Sequence, residues 1–196
     1  MYDKVFKRVI DIIFSIIGLI IFCLPMIIIF VLIKSEDAGP VFFFQRRVGI
    51  NDKYFNICKI RSMKMNTPKD KPTHLLENPE QYLLPIGAFM RKYSIDEIPQ
   101  LINILKGDMS FVGPRPALWN QYDLIEERHK YGVEKVKPGL TGWAQVNGRD
   151  ELDVLTKAKY DGEYVNKESF LFDIKCVVLT IKKVFTADGV VEGKHE

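Results

Sequence analysis

Between Ile12 and Ile33 the chain carries no charged residue. As a straight helix this run would be about 33 Å long, enough to cross a hydrocarbon core of about 30 Å. A signal peptide would have a shorter apolar region and a small-residue cleavage site, whereas Lys34-Ser-Glu-Asp37 follows here. No polar stripe interrupts the run, which argues against a buried helix of a soluble domain. Lys4, Lys7 and Arg8 precede it, and Lys34, Arg46, Arg47 and Lys53 follow it. A single-pass helix carries its positive excess on one side, so basic residues on both flanks read as two ends facing the cytoplasm. Pro25, a little past the middle, removes one backbone donor and crowds the preceding turn, so a bend is expected there. Two courses stay open on this pattern: a re-entrant helix-break-helix hairpin that returns to its own leaflet, and a kinked spanning helix.

The remaining residues hold nearly all the charge. The 196-residue chain has a formal net charge of +3, which permits an anionic membrane surface or a phosphorylated ligand and demands neither. Nothing in it calls for a nucleic-acid partner. Cys23, Cys58 and Cys176 are scattered, and no CxxC pair or Cys/His cluster points to zinc; they read as buried free thiols of a reducing compartment.

Beyond the turn-like junction Asp37-Ala-Gly-Pro40, Val41–Phe44 and Tyr54–Ile60 read as short strands joined through Val48–Asp52. Thr67–Pro85 holds four prolines and reads as a surface loop with one helical turn. Helices are expected near Ile86–Lys92, Pro99–Lys106, Leu118–Tyr131, Leu152–Asn166 and Phe170–Phe185, separated by Gly/Pro-dense loops at Gly107–Pro116 and Lys137–Arg149. In the last helix Leu171, Ile174, Val178, Ile181 and Phe185 share a face; such a face packs a core or, alternatively, lies at a membrane interface. The expected fold is α+β and mainly helical. A membrane segment covers residues 1–36 and a cytosolic domain with a short β-hairpin and amphipathic helices covers 37–196.

The segment Arg91-Lys-Tyr-Ser-Ile-Asp96-Glu97-Ile-Pro-Gln100 is the central chemical feature. Adjacent carboxylates on a helix diverge by about 100°, so Asp96 and Glu97 suit separate tasks around one phosphate rather than a facing acid/base pair. Pro99 belongs in a first helical turn, and Ser94-x-x-Glu97 also matches a capping box, a structural role compatible with the chemical one. Arg115 stands between Pro114 and Pro116, whose fixed φ presents the guanidinium from a stiff backbone suited to phosphate or uracil; pairing with a carboxylate is the structural alternative. The Gly-rich stretch ending in Arg149, with Trp143 within it, offers a nucleotide pocket only weakly. Lys59 and Arg61 are two apart on a strand, hence on one face, as two solvated cations or as ligands of a diphosphate or of an anionic surface.

These motifs resemble, almost end to end, the small monotopic phosphoglycosyl transferases of the bacterial sugar transferase family. The resemblance rests on Lys7-Arg8-x-x-Asp11, Lys59-Ile-Arg-Ser-Met63, Ser94-Ile-Asp-Glu-Ile-Pro-Gln-Leu101, Leu105-Lys-Gly-Asp-Met-Ser-Phe-Val-Gly-Pro-Arg-Pro116 and Lys137-Pro-Gly-Leu-Thr-Gly-Trp-Ala-Gln-Val-Asn-Gly-Arg149. It implies transfer of a sugar phosphate from a UDP-sugar to polyprenyl (undecaprenyl) phosphate by a ping-pong mechanism, the first membrane step of capsule, O-antigen or glycoconjugate assembly. By the same resemblance Asp96 is the nucleophile, Glu97 with Asp96 holds Mg²⁺, Arg91 lies near the phosphate, and Arg115 and Arg149 belong to the nucleotide pocket. It also implies the re-entrant hairpin, set in the inner membrane with its domain on the cytoplasmic face, where it meets membrane lipids and leaves an apolar surface on which a homodimer is open. Leu24-Pro25 stands where the family often has Ser-Pro, leaving the break without its usual hydroxyl. The competing reading is a membrane-anchored, non-catalytic module binding a nucleotide or a partner protein. The sugar and the glycan pathway are not legible.

Overall fold

A computed structural model describes residues 2–68, 78–148 and 151–186. A π-helical turn over Tyr2–Phe6 leads into α1, Lys7–Glu36. At 1.5 Å per residue its 30 residues span about 45 Å, and among the described residues it is the one helix long and apolar enough to cross a membrane. Pro25 lies inside α1 and does not end it. Proline costs a helix one hydrogen bond and a local clash, which the helix absorbs without ending.

The buried residues of α1, Lys7, Asp11, Ser15, Met26 and Ile33, lie four, four, eleven and seven residues apart, close to whole helical turns, and so form a stripe on one face. The stripe docks on the rest of the chain. Lys7 donates to Tyr164 Oη and to Glu168 (3.0 Å) and pairs with Asp173 (2.8 Å). Asp11 accepts from Ser110 Oγ (3.1 Å) and Phe111 N (3.0 Å). Midway, Gly18 packs against Leu101: a Cβ there would lie 2.8 Å from Leu101 Cδ1 and would require that side chain to shift. Farther on, Met26 and Ile33 join Ile60, Leu84 and Met90 in one core. At the end of the helix Asp37 meets Arg61 at 2.7 Å. The other faces expose Ile13, Ile17, Ile20, Leu24, Ile28 and Val31, as does Cys23, which the sequence reading had placed inside.

The expected hairpin forms from β1, Phe42–Val48, and β2, Tyr54–Ile60, antiparallel with Phe43 opposite Lys59 and Arg47 opposite Phe55. β1 is longer than expected and includes Gln45, Arg46 and Arg47. A one-turn 3₁₀ helix, Pro79–Tyr82, supplies the turn expected in the loop, the part of that loop from 69 to 77 lying outside the described residues. There follow α2, Pro85–Lys92, and α3, Gln100–Lys106. β3, Ser110–Val112, pairs in parallel with β4, Gly139–Thr141, a pairing not anticipated. α4 (Tyr122–His129), α5 (Trp143–Val146), α6 (Val154–Lys167) and α7 (Phe170–Thr186) are the remaining α-helices among the described residues.

The reading of the α7 apolar face as core is corrected. Leu171 is 77% exposed, and Ile174, Val178 and Ile181 are exposed with it, whereas Asp173 and Cys176 point inward. Burial pushes the Cys176 thiol up to about 11. An exposed apolar face of this kind marks a surface that lipid or another protein can cover.

Candidate active site

Asp96 and Glu97 do not sit in the first turn of α3. Ser94 adopts a left-handed conformation (φ 55°), and the two carboxylates lie on a one-turn 3₁₀ helix, Ile95–Glu97, ahead of Pro99, the N-cap of α3. No side chain caps either helix, so the capping-box reading of Ser94 and Glu97 is overturned. The turn is held instead by Ile95 and Ile98, which pack into the apolar cores. Both carboxylates are buried, each 6% exposed.

Glu97 Oε1 accepts from Lys59 Nζ at 2.7 Å and from Arg115 Nη2 at 2.8 Å. Lys59 reaches it from the face of the hairpin that the two-residue period shares with Gln45 and Arg47. Burial is the main cause of a Lys59 ammonium held below the usual lysine range; Glu97 opposes this and Arg115 adds to it. β2 itself is steadied by α3: Asn103 accepts from Cys58 N (2.9 Å) and donates to Asn56 O (2.8 Å), serving as a sheet neighbour.

Arg115 leaves a loop whose backbone is anchored at each residue. The Pro114 carbonyl accepts from Gly139 N (2.9 Å), Arg115 from Arg128 Nη2 (2.9 Å), Pro116 from Arg47 Nη1 (3.0 Å) and Ala117 from Val48 N (3.0 Å). Pro114 and Pro116 are both buried. The stiffness expected from the two prolines is thus reinforced by β4, α4 and the hairpin. A shallow pocket lies against this loop, lined by Val48, Pro114, Arg115, Pro116, Arg128 and His129.

Arg61 lies past the end of β2, where the strand period no longer holds, and turns to α1, donating to Asp37 Oδ2 (2.7 Å), Asp37 O (2.7 Å) and Ala38 O (3.4 Å). Arg91 lies in the last turn of α2 with Nη1 3.8 Å from Met63 Sδ. Arg149 lies outside the described residues. The Trp143 ring packs on Phe172 (5.0 Å between centroids) and its Nε1 donates to Glu163 (3.1 Å). Arg47 and Arg128 were not picked out from the sequence. Only the alternation of β1, had it been extended to Val48, could have placed Arg47 on the face that carries Lys59.

Among the described residues no three His, Cys, Asp or Glu side chains converge as a metal cage. Two adjacent carboxylates nonetheless fit Mg²⁺, which takes hard oxygen ligands and is held by one or two carboxylates together with substrate phosphates.

Residues 2–187 match the family model described as bacterial sugar transferase. The chain is 39% identical over 97% of its length to an uncharacterized sugar transferase, EpsL, of Bacillus subtilis, covering 93% of that protein. It is also 39% identical to the UDP-glucose:undecaprenyl-phosphate glucose-1-phosphate transferase of Escherichia coli, and 36% identical to the UDP-N-acetylgalactosamine-undecaprenyl-phosphate N-acetylgalactosaminephosphotransferase of Aeromonas hydrophila. In both it matches 93% of its own length but spans only 41% and 44% of theirs. The chain therefore belongs to the bacterial sugar transferase family. It is an enzyme of the phosphoglycosyl transferase class, and the non-catalytic reading is set aside.

Proposed function

We propose that this chain transfers a sugar 1-phosphate from a UDP-sugar to undecaprenyl phosphate through a covalent intermediate on Asp96. The observation that carries the reading is the buried Asp96–Glu97 pair with Lys59 and Arg115 converging on Glu97. A cationic pair around a fixed carboxylate suits a diphosphate, and the adjacent Asp96 carboxylate is of the chemical type that serves as a nucleophile toward it.

The chemistry runs in two displacements. A carboxylate oxygen of Asp96 attacks the sugar-bearing phosphorus, forming an acyl-phosphate bond as the bond to the bridging oxygen breaks and UMP leaves. An oxygen of undecaprenyl phosphate then attacks the same phosphorus, the bond to Asp96 breaks, and the lipid diphosphate sugar departs with Asp96 restored. Arg115 and Lys59 bind and orient the diphosphate, with Arg91 near it and Arg149 on the nucleotide. Bound Mg²⁺, held by Asp96 and Glu97, would offset charge on the phosphate oxygens.

In the same proposal α1 is re-entrant, bent at Leu24-Pro25, with the domain on the cytoplasmic face. Its support is that one stripe of α1, from Lys7 to Ile33, docks on the same folded body and both ends are tied to it by ion pairs, Lys7 to Asp173 and Asp37 to Arg61. A helix crossing the bilayer would carry one end away from that body. Exposed apolar residues on α1 and α7 would then share one lipid-facing surface. Incubation with a panel of UDP-sugars and undecaprenyl phosphate should release UMP with at least one donor, and Asp96→Asn should abolish that release. Undiminished release by the variant would exclude Asp96 as nucleophile.

A further inference from the structure

We infer that Arg128, locked by Asp161, is the positioning residue that aims Arg115 at the donor diphosphate. This rests on the reading of Arg115 as a donor ligand and adds two residues to which that reading gives no role.

Arg128 lies in the last turn of α4 and is 7% exposed; Asp161 lies in α6 and is 1% exposed. The guanidinium uses Nε (2.9 Å) and Nη2 (2.6 Å) on a single oxygen, Asp161 Oδ2, and the same Nη2 donates to the Arg115 carbonyl at 2.9 Å. The bland account is a cation near a helix C-terminus and a buried ion pair, and a buried pair adds little stability over apolar packing. That account leaves the third contact without a purpose.

The Arg115 backbone gives it one. A residue preceding proline is confined to extended conformations, and Pro116 has its own φ fixed. The freedom that remains is the tilt of the peptide plane between Arg115 and Pro116, and this plane carries the carbonyl that Arg128 holds. The planar fork of arginine holds a carboxylate and a carbonyl together in a fixed geometry, which a rotatable ammonium does not impose. Asp161 prevents the fork from turning. The contact chain runs from α6 through α4 to the Arg115 backbone, and from its side chain to Glu97, 2.8 Å away.

A double-mutant cycle on the full chain in detergent tests this, with UDP as the probe and its affinity as the readout. Arg128→Gln should weaken UDP binding about tenfold when Arg115 is present, short of the roughly hundredfold that a full 1 Å misplacement can cost. In an Arg115→Gln background the same change should cost less than about twofold, since nothing is left to aim. Arg128→Lys and Asp161→Asn should each show the same dependence on Arg115, and they serve if Arg128→Gln does not fold. An equal loss with and without Arg115, or no loss in either, overturns the inference while leaving Arg115 as a ligand. If Arg115→Gln alone leaves UDP affinity unchanged, the reading beneath it fails too.

Discussion

Replacing Arg61 by methionine removes a guanidinium that meets the Asp37 carboxylate at 2.7 Å and donates to the carbonyls of Asp37 and Ala38. The Arg61 side chain is 5% exposed and that of Asp37 is 29% exposed. Removing one partner of a buried pair costs about 3–5 kcal/mol, and water reaching Asp37 lowers this to about 2–3 kcal/mol. For a chain of this size that corresponds to a fall in Tm of about 4–12 °C. Arg61→Lys keeps the charge but not the fork and should fall between wild type and Arg61→Met. Intrinsic fluorescence during heating in detergent measures stability, and UDP affinity measured on the folded variant reports the site. The structure predicts a clear loss of stability with UDP affinity largely kept. A variant that melts like wild type and fails to bind UDP would refute the structural role and return Arg61 to the diphosphate.

Gly87→Ala should destabilise the chain by at least about 1–3 kcal/mol in the same melt, because the new Cβ would sit 2.0 Å from the backbone oxygen of Ser62. Paired Leu171→Asp and Val178→Asp changes on the exposed face of α7 should reduce co-flotation with lipid vesicles while leaving the melt unchanged; unchanged flotation would remove α7 from the interface. Lys59 is held below its ordinary value of 10.5, chiefly by burial. Between its folded and unfolded pKa values the unfolded chain holds a proton the folded one has lost, so this group's contribution to stability rises with pH. UDP affinity should nevertheless fall through that window as the ammonium is lost, and Lys59→Arg, always charged, should move the fall to higher pH.

The apolar run, the hairpin and the Asp96-Glu97 segment were legible because each carries a strong local signal: length without charge, alternation around a turn, and paired acids before a proline. Arg46 and Arg47 looked like the end of a strand because polar residues on both faces hide the alternation, yet they lie within β1. The three-residue strands β3 and β4 are too short to show any period, and their pairing is a tertiary fact between segments 29 residues apart in register, Ser110 with Gly139. The α7 periodicity was legible but its direction was not, since a 3.6-residue pattern shows which residues share a face and not whether protein or lipid covers it. Glu97 was visible as an acid after Ser94; that its carboxylate serves Lys59 and Arg115 rather than a cap depends on Ser94 turning left-handed, which no neighbouring residue announces.

The central claim is that the phosphosugar resides for a time on Asp96. Incubating the protein with UDP-sugars labelled with ³²P in the sugar-bearing phosphate, without lipid acceptor, and quenching in denaturant reads this directly. Label should stay with the wild-type polypeptide, be released on adding undecaprenyl phosphate before the quench, and be absent from Asp96→Asn. Label retained by that variant, or UMP released in step with product while no label is ever trapped on the wild-type chain, would contradict the mechanism.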